Sequence, residues 1–464
     1  MTASGFDAFV KECPEYLSAG NVAGLRAREF RRLDDTGQVY LDYTGAGLYG
    51  ASQVRRHLEF LEREVLGNPH STNPTSRRAT ELAESARRRV LEFFKASPEE
   101  YCVVFTGNAS QALKLVGESY PFGPGGRFLL TFDNHNSVNG IREFARARGA
   151  ETTYIPVVPP DLRADSAEVA RQLARPGGEG SRLFAYPAQS NFSGVQHELE
   201  WTATAQSLGW DVLLDAAAFV PTNRLDLDRC RPDFVVMSFY KLFGYPTGVG
   251  ALLARRPALC KLRRPWFAGG TITVASVGAD RYYPADGPAA FEDGTVNFTS
   301  LPAIDIGLEF IEEVGLGNIH SRVRALTGWL IDRLLELRHA SGRPLVTLYG
   351  PSSIEARGGT VTMNLRDGRG EFIDHQVIEQ RAGERGMSIR TGCFCNPGAG
   401  EMAMGISADE MRSCFIRVSD RLTYDEFRRC IDGKSTGGVR ISLGVASTFA
   451  DVSAFVDLAR SFLD

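Results

Sequence analysis

The sequence predicts an α/β fold: a large domain whose mainly parallel sheet is covered by helices, followed by a smaller C-terminal α+β domain. At 464 residues the chain is too long for one ordinary hydrophobic core. From Tyr101 onward, short and nearly continuous apolar strands alternate with helical patterns, which is typical of a parallel sheet covered on both faces. After Ser300 the pattern changes to long helices and shorter strands. We predict an N-terminal arm at 1–50, the large domain at 51–300 and the small domain at 301–464.

The first elements lead into the large domain. An amphipathic segment ends near Arg32, and a short strand with a glycine-punctuated loop, QVYLDYTGAGLYG, follows at residues 38–50. Glycines in such a loop let the backbone approach other groups closely. Helical spacing then marks residues 52–66 and 76–94, which are separated by the turn-forming sequence GNPHSTNPT.

The middle of the chain repeats strand, loop and helix. The predicted strands have the sequences YCVVFT, RFLLTF, ETTYIPV, SRLFAYPA, DVLLDA and DFVVMS. Ligands of parallel sheets bind beyond the carboxyl ends of the strands. Polar clusters follow five strand ends, at residues 106–110, 133–137, 189–193, 215 and 238–241. We therefore expect these clusters to form one site.

The last third predicts the small domain. Long helices are expected at residues 301–314 and 318–340, strands at PLVTLYG, GTVTMNL and GGVRISL, and a closing helix at residues 451–463.

Composition excludes several classes of function. The chain is 43% hydrophobic and 23% charged, as soluble globular proteins are, and its net charge is −4 with no basic stripe. Nucleic acid is therefore not an expected partner. No stretch approaches the roughly 20 apolar residues of a membrane span, and the N-terminus has no secretory leader pattern. We expect a cytoplasmic protein without membrane contact.

The eight cysteines do not suggest a disulfide framework or a metal site. Most are expected to be buried as small apolar side chains. Cys393 and Cys395 lie close together, but their C-x-C spacing lacks a second ligand pair, so no metal is predicted.

Lys241 is the strongest single candidate for chemistry. Lysine is rare here, with six lysines among 52 Lys and Arg residues, and Lys241 is flanked on both sides by aromatic and apolar residues. A partly desolvated ammonium has a lowered pKa and supplies a free amine that attacks carbonyl carbon, as Schiff-base lysines do. The alternative is a lysine whose stem packs between aromatic rings while its charged end reaches water.

The turn TGNAS, at residues 106–110, is a candidate phosphate site. It joins a strand to a helix, so the backbone N–H groups of Asn108, Ala109 and Ser110 are available to an anion. The turn matches neither the P-loop nor the dinucleotide fingerprint. Alternatively, Ser110 is an ordinary helix N-cap.

Three further residues follow strands of the same sheet. Asp215 ends an apolar strand, so its charge needs a partner, for which a pyridinium nitrogen and an arginine of a neighbouring loop are the two alternatives. His135 is able to stack on a flat ring, and Asn191 is able to form a hydrogen bond with a hydroxyl of that ring. Ordinary loop capping is the other interpretation of both.

The segment SIRTGCFCNPGAGE combines an arginine with two cysteines. Arg390 precedes Cys395 by five residues. Arginine binds an α-carboxylate through two hydrogen bonds, and a thiol beside a guanidinium is more readily a nucleophilic thiolate. Cysteine beside a glycine-rich loop suggests a mobile nucleophile. A buried pair of loop cysteines is the alternative.

These motifs together resemble the PLP-dependent class V aminotransferase family of fold-type I, and within it the cysteine-desulfurase-like N-terminal domain of molybdenum cofactor sulfurases. The resemblance covers nearly the whole chain, through LDYTGAG, GNPHS, FTGNAS, DNHNSV, VLLDAAAF, SFYKLFGYPTGVGALL, RTGCFCNPGA and IDGKSTGGVRISLG. It implies the cofactor pyridoxal 5′-phosphate (PLP), a homodimer with sites at the interface, and L-cysteine as substrate.

The resemblance also implies a role for each candidate. Lys241 would form the covalent link to PLP, Asp215 would pair with the pyridine nitrogen, His135 would stack on the ring and Asn191 would reach the ring hydroxyl. Phosphate would be held by Ala109, Ser110 and Ser238, with Thr295 arriving from a partner subunit. Arg390 would bind the substrate carboxylate, and Cys395 rather than Cys393 would form the persulfide.

The sequence departs from the family pattern at several positions. Ala218 stands where simpler desulfurases have glutamine, Tyr240 stands where they have histidine, and Gly400 stands where sulfurases often have cysteine. The sequence ends right after the predicted closing helix, so we expect no C-terminal molybdenum-cofactor domain.

The resulting hypothesis is a cysteine desulfurase that forms a persulfide on Cys395, releases L-alanine and passes sulfur to an acceptor protein or cofactor. One alternative is another PLP enzyme, a C–S lyase or an aminotransferase, in which Cys395 is not catalytic. The other is a non-catalytic relative that binds partners in a sulfur-transfer complex, against which the intact lysine, aspartate and phosphate turn argue.

Overall fold

The computed structural model describes residues 3–18, 22, 24–416 and 437–464. Within these residues the largest sheet has seven strands. Their spatial order is Tyr101–Thr106, Gly250–Arg255, Phe234–Ser238, Asp211–Asp215, Arg182–Pro187, Arg127–Thr131, Glu151–Ile155. The second strand in this order is antiparallel to both neighbours, and the other neighbouring pairs are parallel. The predicted α/β fold with a mainly parallel sheet is confirmed.

The central strands are buried along their length because both faces of the sheet are covered. The helices before and between the strands are Ala51–Arg63, Pro74–Phe93, Ala109–Ser119, Asn136–Asn139, Ile141–Ala147, Ser166–Ala174, Trp201–Ser207, Phe239–Phe243, Arg256–Leu259. The helix Pro74–Phe93 shows why such elements start where they do. Asn73 caps it by accepting from the Ser76 N–H at 3.0 Å, and proline occupies its first position.

The N-terminal residues lie against the C-terminal part of the chain. Short helices at Ala3–Glu12, Glu15–Ser18, Leu25–Glu29 and Arg32–Asp35 precede a strand at Val39–Tyr40. That strand pairs in parallel with Met387–Ser388, and the Leu41 N–H extends the pairing with a 2.9 Å bond to the Ser388 carbonyl.

The C-terminal part contains a four-stranded antiparallel sheet in the order Val346–Tyr349, Thr360–Leu365, Gly438–Ser442, Arg390–Gly392. Its helices are Pro302–Val314, Leu316–Glu336, His375–Glu384 and Phe449–Arg460. The predicted domain boundaries at 50 and 300 stay predictions. The segment IDGKST of the last motif, residues 431–436, lies outside the described residues, as does Cys430.

Several elements were not predicted. They include the sheet strands Gly250–Arg255 and Arg390–Gly392, the short strand Met387–Ser388, the small pair Val157–Val158 and Arg163–Ala164, the hairpin Ile272–Ser276 with Arg281–Pro284, the 3-10 helix Gly287–Phe291 and the helices His375–Glu384, Pro397–Met404 and Ala408–Ile416. The stretch predicted as a glycine-rich loop after Cys395 is thus helical, because Asn396 caps it and proline opens it.

The prediction for the cysteines needs a correction. Of the six free cysteines in the described part of the chain, Cys102 is buried, Cys13 and Cys230 are partly buried, and Cys260, Cys393 and Cys395 are exposed. The structure also gives Cys414 as disulfide-bonded. Within the described ranges, no helix is both long and apolar enough to cross a bilayer.

Candidate active site

A cavity of about 250 Å³ lies beyond the carboxyl ends of the parallel strands. It is lined by residues from each of the five predicted polar clusters: Ser110, His135, Asn191, Asp215, Lys241. A larger cavity, of about 360 Å³, is lined in part by Gln111, Lys114 and Thr295, but neither Asp215 nor Lys241 lines it. The smaller cavity is therefore the candidate active site.

Lys241 lies in the short helix that directly follows a parallel strand. The end of that strand therefore positions it in the wall of the cavity. Its side chain is partly buried rather than exposed to bulk water. Burial lowers the pKa of Lys241, and the Asp215 carboxylate opposes that change. The glycine-punctuated loop at residues 38–50 packs against the backbone of Lys241, since a Cβ at Gly47 would lie 2.7 Å from the Lys241 carbonyl. The structure favours the desolvated amine over the solvated one.

Asp215 is buried at the end of its strand, where its Oδ1 accepts from the Ala217 N–H at 3.0 Å. No arginine forms an ion pair with it among residues that the structure describes, so the arginine-partner alternative is not supported. His135 lines the same cavity. Burial lowers the pKa of His135, again opposed by Asp215. Its Nδ1 accepts from the Ser137 N–H at 3.1 Å, so the capping role considered for this histidine is present as well.

The TGNAS turn opens a helix at the cavity. Asn108 caps that helix by accepting from the Gln111 N–H at 3.0 Å, so the interpretation of Ser110 as the N-cap is wrong. The Ala109 N–H donates to the Ser238 hydroxyl at 2.8 Å. The Ser110 hydroxyl lies 2.6 Å from that of Ser137. Hydroxyls and backbone N–H groups thus meet at a helix N-terminus, which favours an anion.

Arg390 and a second arginine share one carboxylate. The Nε of Arg390 donates to Oδ2 of Asp42 at 2.9 Å, and Nη2 of Arg440 donates to Oδ1 of the same residue at 3.0 Å. The two arginines are directly opposed in neighbouring strands. The Arg390 side chain is 50% exposed, whereas that of Arg440 is 3% exposed. Sequence reasoning missed Asp42 and Arg440, although an arginine inside the apolar strand GVRISL signals a buried charge that needs a partner.

The two loop cysteines are exposed, so the alternative of a buried cysteine pair is wrong. Between them Phe394 is buried, with the Arg440 guanidinium 4.6 Å from its ring centre. The Phe394 carbonyl accepts from Nδ2 of Asn191 at 2.8 Å. The Cys395 carbonyl accepts from the Asn136 N–H at 2.7 Å. The loop is therefore bonded to the rim of the cavity.

Other predicted positions are less closely defined. Oγ1 of Thr295 accepts from Nδ2 of Asn68 at 3.1 Å, and its predicted role in a partner subunit stays a prediction. Ala218 and Tyr240, two of the departures from the family pattern, both line the cavity. Within the described ranges, no cluster of three or more His, Cys, Asp or Glu side chains is arranged to hold a metal ion.

The sequence of the chain matches a known protein family. The family model for aminotransferase class-V matches residues 39–455. The chain belongs to the class-V aminotransferase family. The resemblance drawn from the motifs is thereby confirmed.

Curated relatives of this class-V aminotransferase family member are named molybdenum cofactor sulfurase. The protein from Bos taurus is 39% identical over 94% of this chain, and the one from Solanum lycopersicum is 36% identical over 98%. The aligned regions make up 51% and 59% of those two proteins. The chain thus spans between half and three-fifths of the length of these relatives.

Solved structures with the same fold include cysteine desulfurases. The apo enzyme from Thermococcus onnurineus superposes with a TM-score of 0.76 at 24% identity, covering 95% of this chain and 98% of that one. An Escherichia coli enzyme gives 0.74 at 21% identity, covering 96% and 99%. These likenesses establish the fold of the class-V family member.

Proposed function

We propose that this class-V family member is a PLP-dependent cysteine desulfurase, which moves the sulfur of L-cysteine onto Cys395 and releases L-alanine. One observation carries the proposal: the Lys241 amine, the Asp215 carboxylate and a helix N-terminus face one cavity, and the exposed Cys395 loop is bonded to its rim. The names of the curated relatives and of the structural neighbours support it.

The cavity fits PLP in size and in chemistry. Its volume of about 250 Å³ is close to the roughly 300 Å³ at which ligand pockets begin. Ala109, Ser110 and Ser238 would hold the phosphate at the helix N-terminus. Asp215 would pair with the ring nitrogen, and His135, kept neutral by burial, would stack on the ring.

Two further residues would complete the cofactor site. Nδ2 of Asn191 has a second hydrogen beyond the one that it gives to the Phe394 carbonyl, and this hydrogen is available for the ring hydroxyl. Thr295 would reach the phosphate of a second copy of the chain.

PLP, when bound, supplies an electron sink for the bonds at the substrate Cα. Lys241, freed by the substrate amine, would take the Cα proton, while Asp215 keeps the ring nitrogen protonated. The Cys395 thiolate would attack the substrate sulfur, so that an S–S bond forms and the Cβ–S bond breaks. The carbon fragment would gain one proton at Cβ, in place of the one that the Cys395 thiol gave up, and would regain its Cα proton from Lys241 before it leaves as L-alanine.

Arg440 would share the substrate carboxylate with the predicted Arg390. Its guanidinium is close enough to Lys241 for their charges to interact, and its Nε has no partner in the described part of the chain. A buried guanidinium with an unused donor is suited to an incoming carboxylate. Arg390, whose side chain is half exposed, would approach the same carboxylate from the solvent side.

Product identification tests the function. Purified protein incubated with L-cysteine is expected to yield L-alanine and a persulfide on the protein, measured by mass spectrometry. Pyruvate with ammonia would instead establish a C–S lyase, and a new amino acid an aminotransferase. Cysteamine, which lacks the carboxylate, is expected to yield no persulfide, because the arginines then have nothing to hold.

We also propose a homodimer, supported by two exposed apolar surfaces. The helix Ala51–Arg63 exposes Val54, Leu58 and Leu61 along one face. The hairpin near residue 277 exposes Val277 almost completely. Apolar surface of this kind marks protein interfaces. A second copy of the chain would cover both surfaces and bring Thr295 to the neighbouring phosphate.

Sedimentation is expected to give about twice the chain mass of 50.8 kDa, because burying the apolar surfaces favours association. Leu58→Glu is expected to shift the protein toward the monomer and to weaken PLP retention. Leu208→Glu is the matched control, since Leu208 is also exposed and apolar but lies on another helix end. A dimer that persists unchanged in Leu58→Glu would contradict this interface.

The location and the sulfur acceptor complete the proposal. Cys393 and Cys395 are exposed free thiols, which suits a reducing compartment, although the disulfide at Cys414 does not. On the two thiols of the proposed site we place the enzyme in the cytoplasm, which fractionation of the native cells would test. The persulfide sulfur would pass to an acceptor protein or cofactor. Transfer of radiolabelled sulfur from the loaded protein to candidate acceptors would identify its class.

A further inference from the structure

The loop that carries Cys395 has an uncommon backbone. Phe394 and Cys395 both have φ near +55°, in the left-handed region that residues other than glycine rarely adopt. Two such residues in succession persist only where surrounding contacts determine the conformation.

Hydrogen bonds to the carbonyls of Phe394 and Cys395 supply part of the contacts that hold this backbone conformation. Asn191 donates to the Phe394 carbonyl and the Asn136 N–H donates to that of Cys395, at 2.8 and 2.7 Å. The Phe394 ring packs against Phe192 with 5.4 Å between ring centres. These groups belong to two strand-end loops of the large sheet, so the cysteine loop is held by the same loops that line the cavity.

Asn396 joins these loops to the cysteine loop. It is fully buried, and its Nδ2 donates both to the Asp133 carbonyl at 2.7 Å and to Oδ1 of Asn191 at 2.9 Å. Its Oδ1 accepts from the Ala399 N–H at 3.2 Å and so caps the following helix. One amide therefore fixes three segments, and through Asn191 it also fixes the Phe394 carbonyl.

The backbone that accepts the hydrogen bond from Asn396, at Asp133, is rigid. Oδ2 of Asp133 lies 2.9 Å from Nε2 of His197, and both side chains are buried, so the backbone at Asp133 has little freedom. The helix that Asn396 caps also packs closely against the backbone beside Asp133. A Cβ at Gly398 would lie 2.0 Å from the Phe132 carbonyl, so glycine is required for this approach.

We propose that Asn396 is a positioning residue that holds Cys395 over the substrate cavity. The proposal rests on the proposed function, because it assigns Cys395 as the group to be positioned. Asn396 makes no contact that requires substrate or cofactor. Its amide donors set the place of the loop, and its amide oxygen starts the helix.

Asn396→Asp separates these two roles, because a carboxylate still caps the helix but has no hydrogen to donate. The variant is expected to bind PLP with an unchanged visible spectrum. Its kcat for alanine formation is expected to fall about 10- to 100-fold, the cost of misplacing a reacting group by about 1 Å. Hydrogen exchange of the peptide that contains residues 393–400 is expected to speed up, with or without PLP.

Asn73→Asp is the matched control. Asn73 also precedes a proline and caps a helix, but it is exposed and outside the cavity, so its replacement is expected to change neither kcat nor exchange at residues 393–400. Should Asn396→Asp fail to fold, Asn396→Ser keeps a capping oxygen while being too short to reach Asp133.

The outcomes separate the inference from the function on which it rests. Unchanged kcat and unchanged exchange in the folded Asn396 variant would overturn the positioning role. If the unmodified protein forms pyruvate rather than alanine, the proposed function fails, while the exchange measurement still decides whether Asn396 holds the loop.

Discussion

The Lys241→Ala variant is expected to fold, to lose covalent attachment of PLP and to lose turnover of L-cysteine. The side chain is partly buried in the cavity, and burial lowers its pKa, which increases the share of reactive free amine where the cofactor aldehyde would lie. Loss of its proton transfer alone is expected to cost about 10²- to 10⁴-fold in kcat. Borohydride reduction followed by mass spectrometry measures the covalent link directly.

Other lysines are poorly placed to replace it. Lys95, Lys114 and Lys261 each form an ion pair, with side chains between 51% and 64% exposed. Lys261→Ala is therefore the matched control and is expected to keep both the covalent link and the turnover. A reduced PLP adduct that persists in Lys241→Ala would contradict the site assignment.

The lowered pKa of Lys241 also predicts how covalent PLP binding depends on pH. The neutral amine is the reactive form, and burial, opposed by Asp215, moves its pKa below the ordinary 10.5. The rate at which apoprotein forms the link should therefore rise with pH and level off before pH 10.5. A rate that continued to rise through that pH would place the lysine in water instead.

The part of the site that could be predicted from sequence follows from local rules. Asp215 ends an apolar strand, and His135 and Lys241 follow the ends of two other strands by a few residues. Parallel strands bring their carboxyl ends to one edge of a sheet. The order of the elements along the chain is enough to predict that these three side chains lie at one cavity, and the exact pairing of the strands is not needed.

The arginine pair shows what local rules miss. Arg440 reaches the site because its strand pairs with that of Arg390 in a register that sets the two residues opposite each other. Like charges in that arrangement repel, and Asp42, from the N-terminal arm, lies between them. Three distant segments must fold together before this contact exists, so no sequence window contains it.

Replacing Cys395 by serine is expected to keep bound PLP but to lower alanine formation at least about 10³-fold, as loss of other covalent nucleophiles does. Serine has nearly the same size, so the left-handed backbone and the bond from Asn136 to its carbonyl should be retained. Its hydroxyl is a much weaker nucleophile toward sulfur. The measurement is alanine formed from L-cysteine, together with the mass of the peptide that carries residue 395.

Cys393→Ser is the matched control for Cys395→Ser, because both thiols are exposed on the same loop. The Cys393 carbonyl accepts from the Asn396 N–H at 2.9 Å, whereas Cys395 is the cysteine that lies within electrostatic range of both Arg390 and Arg440. We therefore expect persulfide on residue 395 in the Cys393→Ser variant and nearly full turnover. If Cys395→Ser instead retained alanine formation while Cys393→Ser lost it, the nucleophile would be Cys393, and the guanidinium pair would have to act through the substrate carboxylate alone.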